Sequence, residues 1–223
     1  MQNKIFNIQN NTEFETISLE IFEYQMQNNP IYSKYAAALL KGKMPNNIYE
    51  IPFLPISFFK TKEIICQDRT VEETFVSSGT TGKQSKHLVS DIALYKKSYL
   101  KSFELFYGDI KDYCILSLLP NYRQQKSSSL IYMVNDLIEK STHEQSGFYL
   151  NDYQALSVTI EKLEAQGQKT ILFGVSYALL DLAELFPQKL KHTIIIETGG
   201  TKGKRKAMIK EELHQKLKAA FTV

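Results

Sequence analysis

Three short apolar runs limit what this chain can fold into. Cys114-Ile115-Leu116-Ser117-Leu118-Leu119 ends at Pro120, and Ile171-Leu172-Phe173-Gly174-Val175 and Thr193-Ile194-Ile195-Ile196 repeat its character further on. Each has the length of a strand but no apolar/polar alternation, the pattern of strands covered on both faces in a parallel sheet. Helical stretches from Ser128 to Lys140 and from Asp152 to Gln166 fall between the first two runs, and Tyr177 to Phe186 between the last two. Strands alternating with helices predict an α/β fold with a mainly parallel sheet flanked by helices. Beyond it, Ala207 to Phe221 sets Met208, Leu213, Leu217 and Phe221 on roughly one helical face.

The N-terminal part reads as helical. Thr12 followed by Glu15 has capping-box spacing, and Ile17, Ile21, Phe22 and Tyr24 recur helically until Asn29-Pro30. A second helix from about Ile31 to Leu40 ends at Gly42, with Pro45 beyond. Ile51 to Phe59 carries two prolines among large apolar groups and predicts an extended, buried connector. With no repeat or linker visible, the 223 residues are expected to form a single α/β domain: a helical N-terminal segment and connector over 1–60, and a sheet-and-helix nucleotide-binding part over 70–223.

The most specific chemistry lies where the pattern becomes strand, glycine loop, helix: Thr74-Phe75-Val76, then Ser77-Ser78-Gly79-Thr80-Thr81-Gly82-Lys83-Gln84-Ser85-Lys86, then an amphipathic run from Ser90 to Tyr107. Glycines let backbone amides approach an anion, hydroxyls add donors, and lysines supply charge. Gly79 and Gly82 are too close together for a Walker A loop, which disfavours a P-loop NTPase. By composition alone the segment is as well read as a solvated turn. Its order is more specific: Ser-Ser-Gly-Thr-Thr-Gly-Lys resembles the phosphate-loop signature of the acyl- and aryl-adenylating superfamily, in which the loop holds the triphosphate of ATP while a carboxylate attacks.

Further segments are similar to the LuxE-type acyl-protein synthetases, a branch of that superfamily. They are Ile51 to Ile56, Leu119-Pro120-Asn121-Tyr122, Ser128 to Val134, Leu172-Phe173-Gly174-Val175 and Glu197 to Arg205. The resemblance runs along nearly the whole chain and implies a partial adenylate-forming large domain. It also implies ATP-dependent activation of a fatty or other carboxylic acid as an acyl-adenylate, with acyl transfer to a protein or thiol acceptor. ATP would bring magnesium with it, although no carboxylate stands out as a metal ligand.

On this resemblance Ser78, Gly79, Thr80, Thr81, Gly82 and Lys83 are the expected phosphate contacts, with Lys86 second. Thr198, Gly199 and Gly200 follow an apolar strand at the carboxyl end of a sheet, where α/β proteins bind ligands, and the corresponding turn of the superfamily packs on adenine. A plain strand-to-helix turn is the alternative. Tyr122 and Gly174 are candidate substrate-binding residues, against a turn tyrosine and a glycine that permits close packing. Ser128 and Ser129 are weighed between cleft and helix N-cap, and His87 is placed beside the loop.

Other classes fit less well. Twenty-seven cations against 24 anions give a net charge of +3, and the basic cluster Lys202 to Lys206 lacks interleaved aromatics, so no nucleic-acid partner is expected. No run reaches the roughly 18 apolar residues of a membrane span, and two distant cysteines, Cys66 and Cys114, suit neither a disulfide framework nor a zinc site. A cytoplasmic protein is the expectation. The aromatic-Gly-x-Thr-Glu motif, ribose-gripping Asp and late acylated cysteine of the resembled family are missing, so the chain is expected to be C-terminally truncated and weakly active or inactive by itself. A non-catalytic ATP- or AMP-binding module and an interaction protein without nucleotide binding remain the alternatives.

Overall fold

The computed structural model describes residues 4–77, 84–120, 127–150, 152–199 and 208–222. The chain divides into two compact units, residues 1–102 and 103–223.

In the first unit, α1 (Asn11–Asn28) and α2 (Pro30–Leu40) are joined by Asn29 alone. Its N–H closes α1 on Gln25 O at 2.9 Å while its Oδ1 accepts from Tyr32 N at 3.1 Å, and Pro30 supplies a preset first helical residue. Phe22, Tyr32, Ala36 and Ile51 form the shared core. The capping box sits two residues earlier than the spacing suggests. Asn10 Oδ1 accepts from Glu13 N at 2.9 Å, and Glu13 Oε2 accepts from Gln9 N at 2.9 Å. Thr12 therefore lies inside the helix, and Glu15 instead reaches Ile48 N at 3.4 Å.

The predicted buried connector is corrected. It contains a 3₁₀ turn at Ile56–Lys60, and Phe53 is 70% and Ile56 84% exposed. Its prolines keep helix out, but two adjacent 3₁₀ turns, Ile48–Glu50 and Ile56–Lys60, leave only Ile51 of the run buried. A hairpin follows, β1 (Glu73–Val76) antiparallel to β2 (Lys86–Val89), and then α3 (Ile92–Tyr107). Tyr95 of α3 rests on Phe75 of β1 with ring centroids 5.3 Å apart.

The second unit is an α/β layer structure around a four-stranded parallel sheet. β3 (Cys114–Leu118), β4 (Gly147–Phe148), β5 (Thr170–Gly174) and β6 (Thr193–Glu197) lie in the order β4-β3-β5-β6. Crossover helices α4 (Ser129–Ser141), α5 (Tyr153–Ala165) and α6 (Ser176–Leu185) connect them, as parallel pairing requires. Every residue of β3 and of β5 is buried, which explains why both read as unbroken apolar runs. β4, only two residues long, carries no such signal. The register runs from Cys114 opposite Thr170 to Leu118 opposite Gly174, and from Thr170 opposite Thr193 to Gly174 opposite Glu197.

α7 (Lys210–Phe221) buries Leu213, Leu217 and Phe221 and packs on α6. Two backbone bonds fasten its end, Gln188 N to Ala220 O at 3.1 Å and Leu190 N to Phe221 O at 3.0 Å. At the start of β6, the Glu164 carboxylate accepts from Lys191 N at 2.8 Å, His192 N at 3.1 Å and Thr193 Oγ1 at 2.6 Å. One side chain thus anchors the end of α5 to the strand. No helix among the described residues is long and apolar enough to cross a membrane.

Candidate functional site

The expected phosphate residues Ser78, Gly79, Thr80, Thr81, Gly82 and Lys83 lie outside the described residues, but their mounting does not. Sequence order predicts strand, loop, helix; a second strand intervenes. Val76 pairs with Lys86, and one step beyond, Ser77 N donates to Ser85 O at 3.0 Å while Ser77 Oγ accepts from Ser85 N at 2.9 Å. The glycine-rich segment is therefore flanked by the two paired strands of a hairpin, and Lys86 is an exposed residue of β2. The strand is hard to see because Lys86-His87 opens it with two polar residues and only Val89 is buried.

At the carboxyl end of the parallel sheet, in the second unit, β6 turns away through Thr198 and Gly199. Thr198 donates twice to Gly174 O, from N at 3.0 Å and from Oγ1 at 3.1 Å. Glu197 Oε1 accepts from Ser176 Oγ at 2.5 Å and from Gly199 N at 2.6 Å. The donors of Thr198 and Gly199 are thus used within the turn, which is held by the residue before it and by the first residue of α6. Gly199 has φ +78°, a left-handed conformation that favours glycine, and a Cβ there would meet nothing within 4 Å. Gly200 lies outside the described residues.

Gly174 performs the packing task weighed for it: Leu179 of α6 fills the space its side chain would need. Tyr122 is outside the described residues. Ser128 is an N-cap, its Oγ accepting from Ile131 N at 3.4 Å. Cys114 is fully buried, and burial pushes its thiol up to about 11, leaving it protonated and inert at neutral pH. Among the described residues no three His, Cys, Asp or Glu side chains gather as a metal-ligand set.

Two cavities in the first unit were not foreseen, because their walls come from segments far apart in sequence. A chamber of about 400 Å³ is lined by Gln25, Asn29, Phe59, Cys66, His87 and Ser90, among others. Partial desolvation pushes the Cys66 thiol up and the His87 imidazole down, and the His87 ring meets Phe59 edge-on at 5.9 Å. Next to it is a slot of about 330 Å³ walled by Phe14, Ile21, Phe22, Ile48, Ile51 and Phe53; Gln25, Tyr32 and Leu54 line both. The segment carrying Cys66 is tied to α1 by Tyr24, whose hydroxyl donates to Asp68 Oδ2 at 2.9 Å and accepts from Arg69 Nε at 3.3 Å. A wider depression of about 810 Å³ along α1 is lined mostly by polar residues, and Lys4 and Glu20 on its wall pair with each other at 3.1 Å.

The chain is similar to a long-chain-fatty-acid–luciferin-component ligase of Vibrio harveyi, 35% identical over 65 residues. The similarity is local. It covers 29% of this chain and 17% of the length of that protein. No protein-family model matches the chain, and no solved structure matches it.

Proposed function

We propose that this chain takes part in ATP-dependent activation of a fatty or other carboxylic acid, with an acyl-adenylate as intermediate. The observation that carries the reading is the 65-residue similarity to a fatty-acid ligase. The adenylating-type order Ser77 to Lys86, which links the two strands of a hairpin, supports it. In the proposed reaction a carboxylate oxygen attacks the α-phosphorus of ATP and pyrophosphate leaves. The acyl-adenylate carbonyl then accepts a thiol or other protein nucleophile, releasing AMP. The acceptor is not assigned to Cys114, whose thiol is sealed in the sheet.

The chain's own residues fit parts of this chemistry. Thr80, Thr81, Gly82 and Lys83, with Ser78 and Gly79, would hold the polyphosphate and offset the charge that develops on it, and Lys86 stands at the foot of the same hairpin. Magnesium would come with the nucleotide, neutralising phosphate charge. Carboxylate-dependent exchange of labelled pyrophosphate into ATP tests the proposal. Exchange that disappears in Lys83→Ala supports it. Absence of both exchange and calorimetric ATP binding in the intact chain refutes it.

A further inference from the structure

We infer that the paired cavities of the first unit form a fatty-acid site, with the alkyl chain in the apolar slot and the carboxylate in the adjoining chamber at Gln25 and His87. The choice of a fatty acid rests on the acyl-activating reading; the location rests on the cavities. The slot of about 330 Å³ has an almost wholly hydrocarbon wall, with Phe22 and Ile51 buried in its floor and Phe14 48% and Phe53 70% exposed at its rim. A concave surface of that kind and size suits a small apolar ligand.

The chamber adds what a purely apolar groove lacks. Gln25 Oε1 is occupied by Asn29 Nδ2 at 3.0 Å and by the Cys66 thiol at 3.6 Å, whereas the Gln25 amide NH₂ has no partner among the described residues. The His87 ring contacts Phe59 and has no hydrogen-bond partner among them either. Two unengaged N–H donors in the chamber that shares Gln25 with a hydrocarbon slot match an amphipath with a terminal acceptor group, since a carboxylate can accept from both. Within this unit His87 follows Lys86 directly on β2, so the carboxylate end lies on the strand that leads out of the glycine-rich segment.

Calorimetry on the full chain with palmitate, and with butyrate as the short control, tests the site. Affinity should rise about fourfold per added methylene until the slot is full. Ile21, 36% exposed on the slot wall, tolerates enlargement without entering the core, so Ile21→Trp should weaken palmitate binding at least about tenfold and leave ATP affinity unchanged. Palmitate carrying a diazirine at its chain end should label peptides from residues 14–54. Undiminished palmitate binding by the variant, or labelling confined to other peptides, overturns the site. ATP binding and its loss in Lys83→Ala report separately on the acyl-activating reading, so intact nucleotide binding with label elsewhere rejects the slot alone.

Discussion

Leu179 stands where a side chain on Gly174 would stand: a Cβ built on the glycine falls 2.6 Å from both Cγ and Cδ2 of the leucine. Gly174→Ala should therefore destabilise the second unit by about 1–3 kcal/mol through overpacking, measured by urea unfolding. Combined with Leu179→Ala, the two costs should sum to less than their separate values, because the smaller neighbour makes room. Strict additivity would mean the contact is not strained by the new methyl.

Glu164 satisfies two backbone amides and a hydroxyl at the entry to β6. Replacing it by Ala should cost about 2–3 kcal/mol, the scale of hydrogen bonds to a charged acceptor. Amide hydrogen exchange at Lys191 and His192 should accelerate in the variant, a local signature that general destabilisation alone would not concentrate there.

Cys114 gives the fold an alkaline limit. Its thiol titrates near 9.0 when unfolded and at about 11 when folded, so above pH 9 the unfolded chain gives up a proton that the folded chain keeps. This contribution is complete below pH 9 and is lost as pH rises through about 11, amounting to about 2–3 kcal/mol. Cys114→Ala should flatten the decline of stability over that window relative to the parent chain.

Ser117 Oγ is enclosed in the sheet with no hydrogen-bond partner among the described residues. An orphaned hydroxyl is a cost that its removal recovers, so Ser117→Ala should raise stability by about 1 kcal/mol in thermal or urea unfolding. A loss of that size would mean the hydroxyl has a partner in the folded protein.

Under the proposed function, Thr81→Ala and Lys83→Ala should each lower carboxylate-dependent pyrophosphate exchange by about 10²–10³. Their melting temperatures should match the parent, since the hairpin is closed below them by Ser77 and Ser85. Equal losses of exchange and of melting temperature would assign them a structural role.

The parallel sheet was legible because β3 and β5 bury every residue, which leaves an uninterrupted apolar run in the chain. β2 was not, since a half-exposed four-residue strand opening with Lys86-His87 resembles loop. The capping box was displaced because Asn10/Glu13 and Thr12/Glu15 offer overlapping spacings, and only the fold shows that Glu15 turns to Ile48 instead. Of the candidate site, Gly174 and Gly199 could be singled out by type, whereas Gln25, Cys66 and His87 converge from a helix, a turn and a strand with no shared motif. Convergence of that sort is written in tertiary packing rather than in spacing.

Ser77 and Ser85 fasten each other by two hydrogen bonds at the loop end of the hairpin, so whatever lies between them starts and finishes at fixed posts. The segment between is in effect an exchangeable cassette. Doubling its length would cost only about 0.6 kcal/mol of closure entropy, and rewriting it would leave the ladder from Glu73 to Val89 untouched. Under the proposed function, a scaffold of this design could change the anion it prefers without its core being rebuilt.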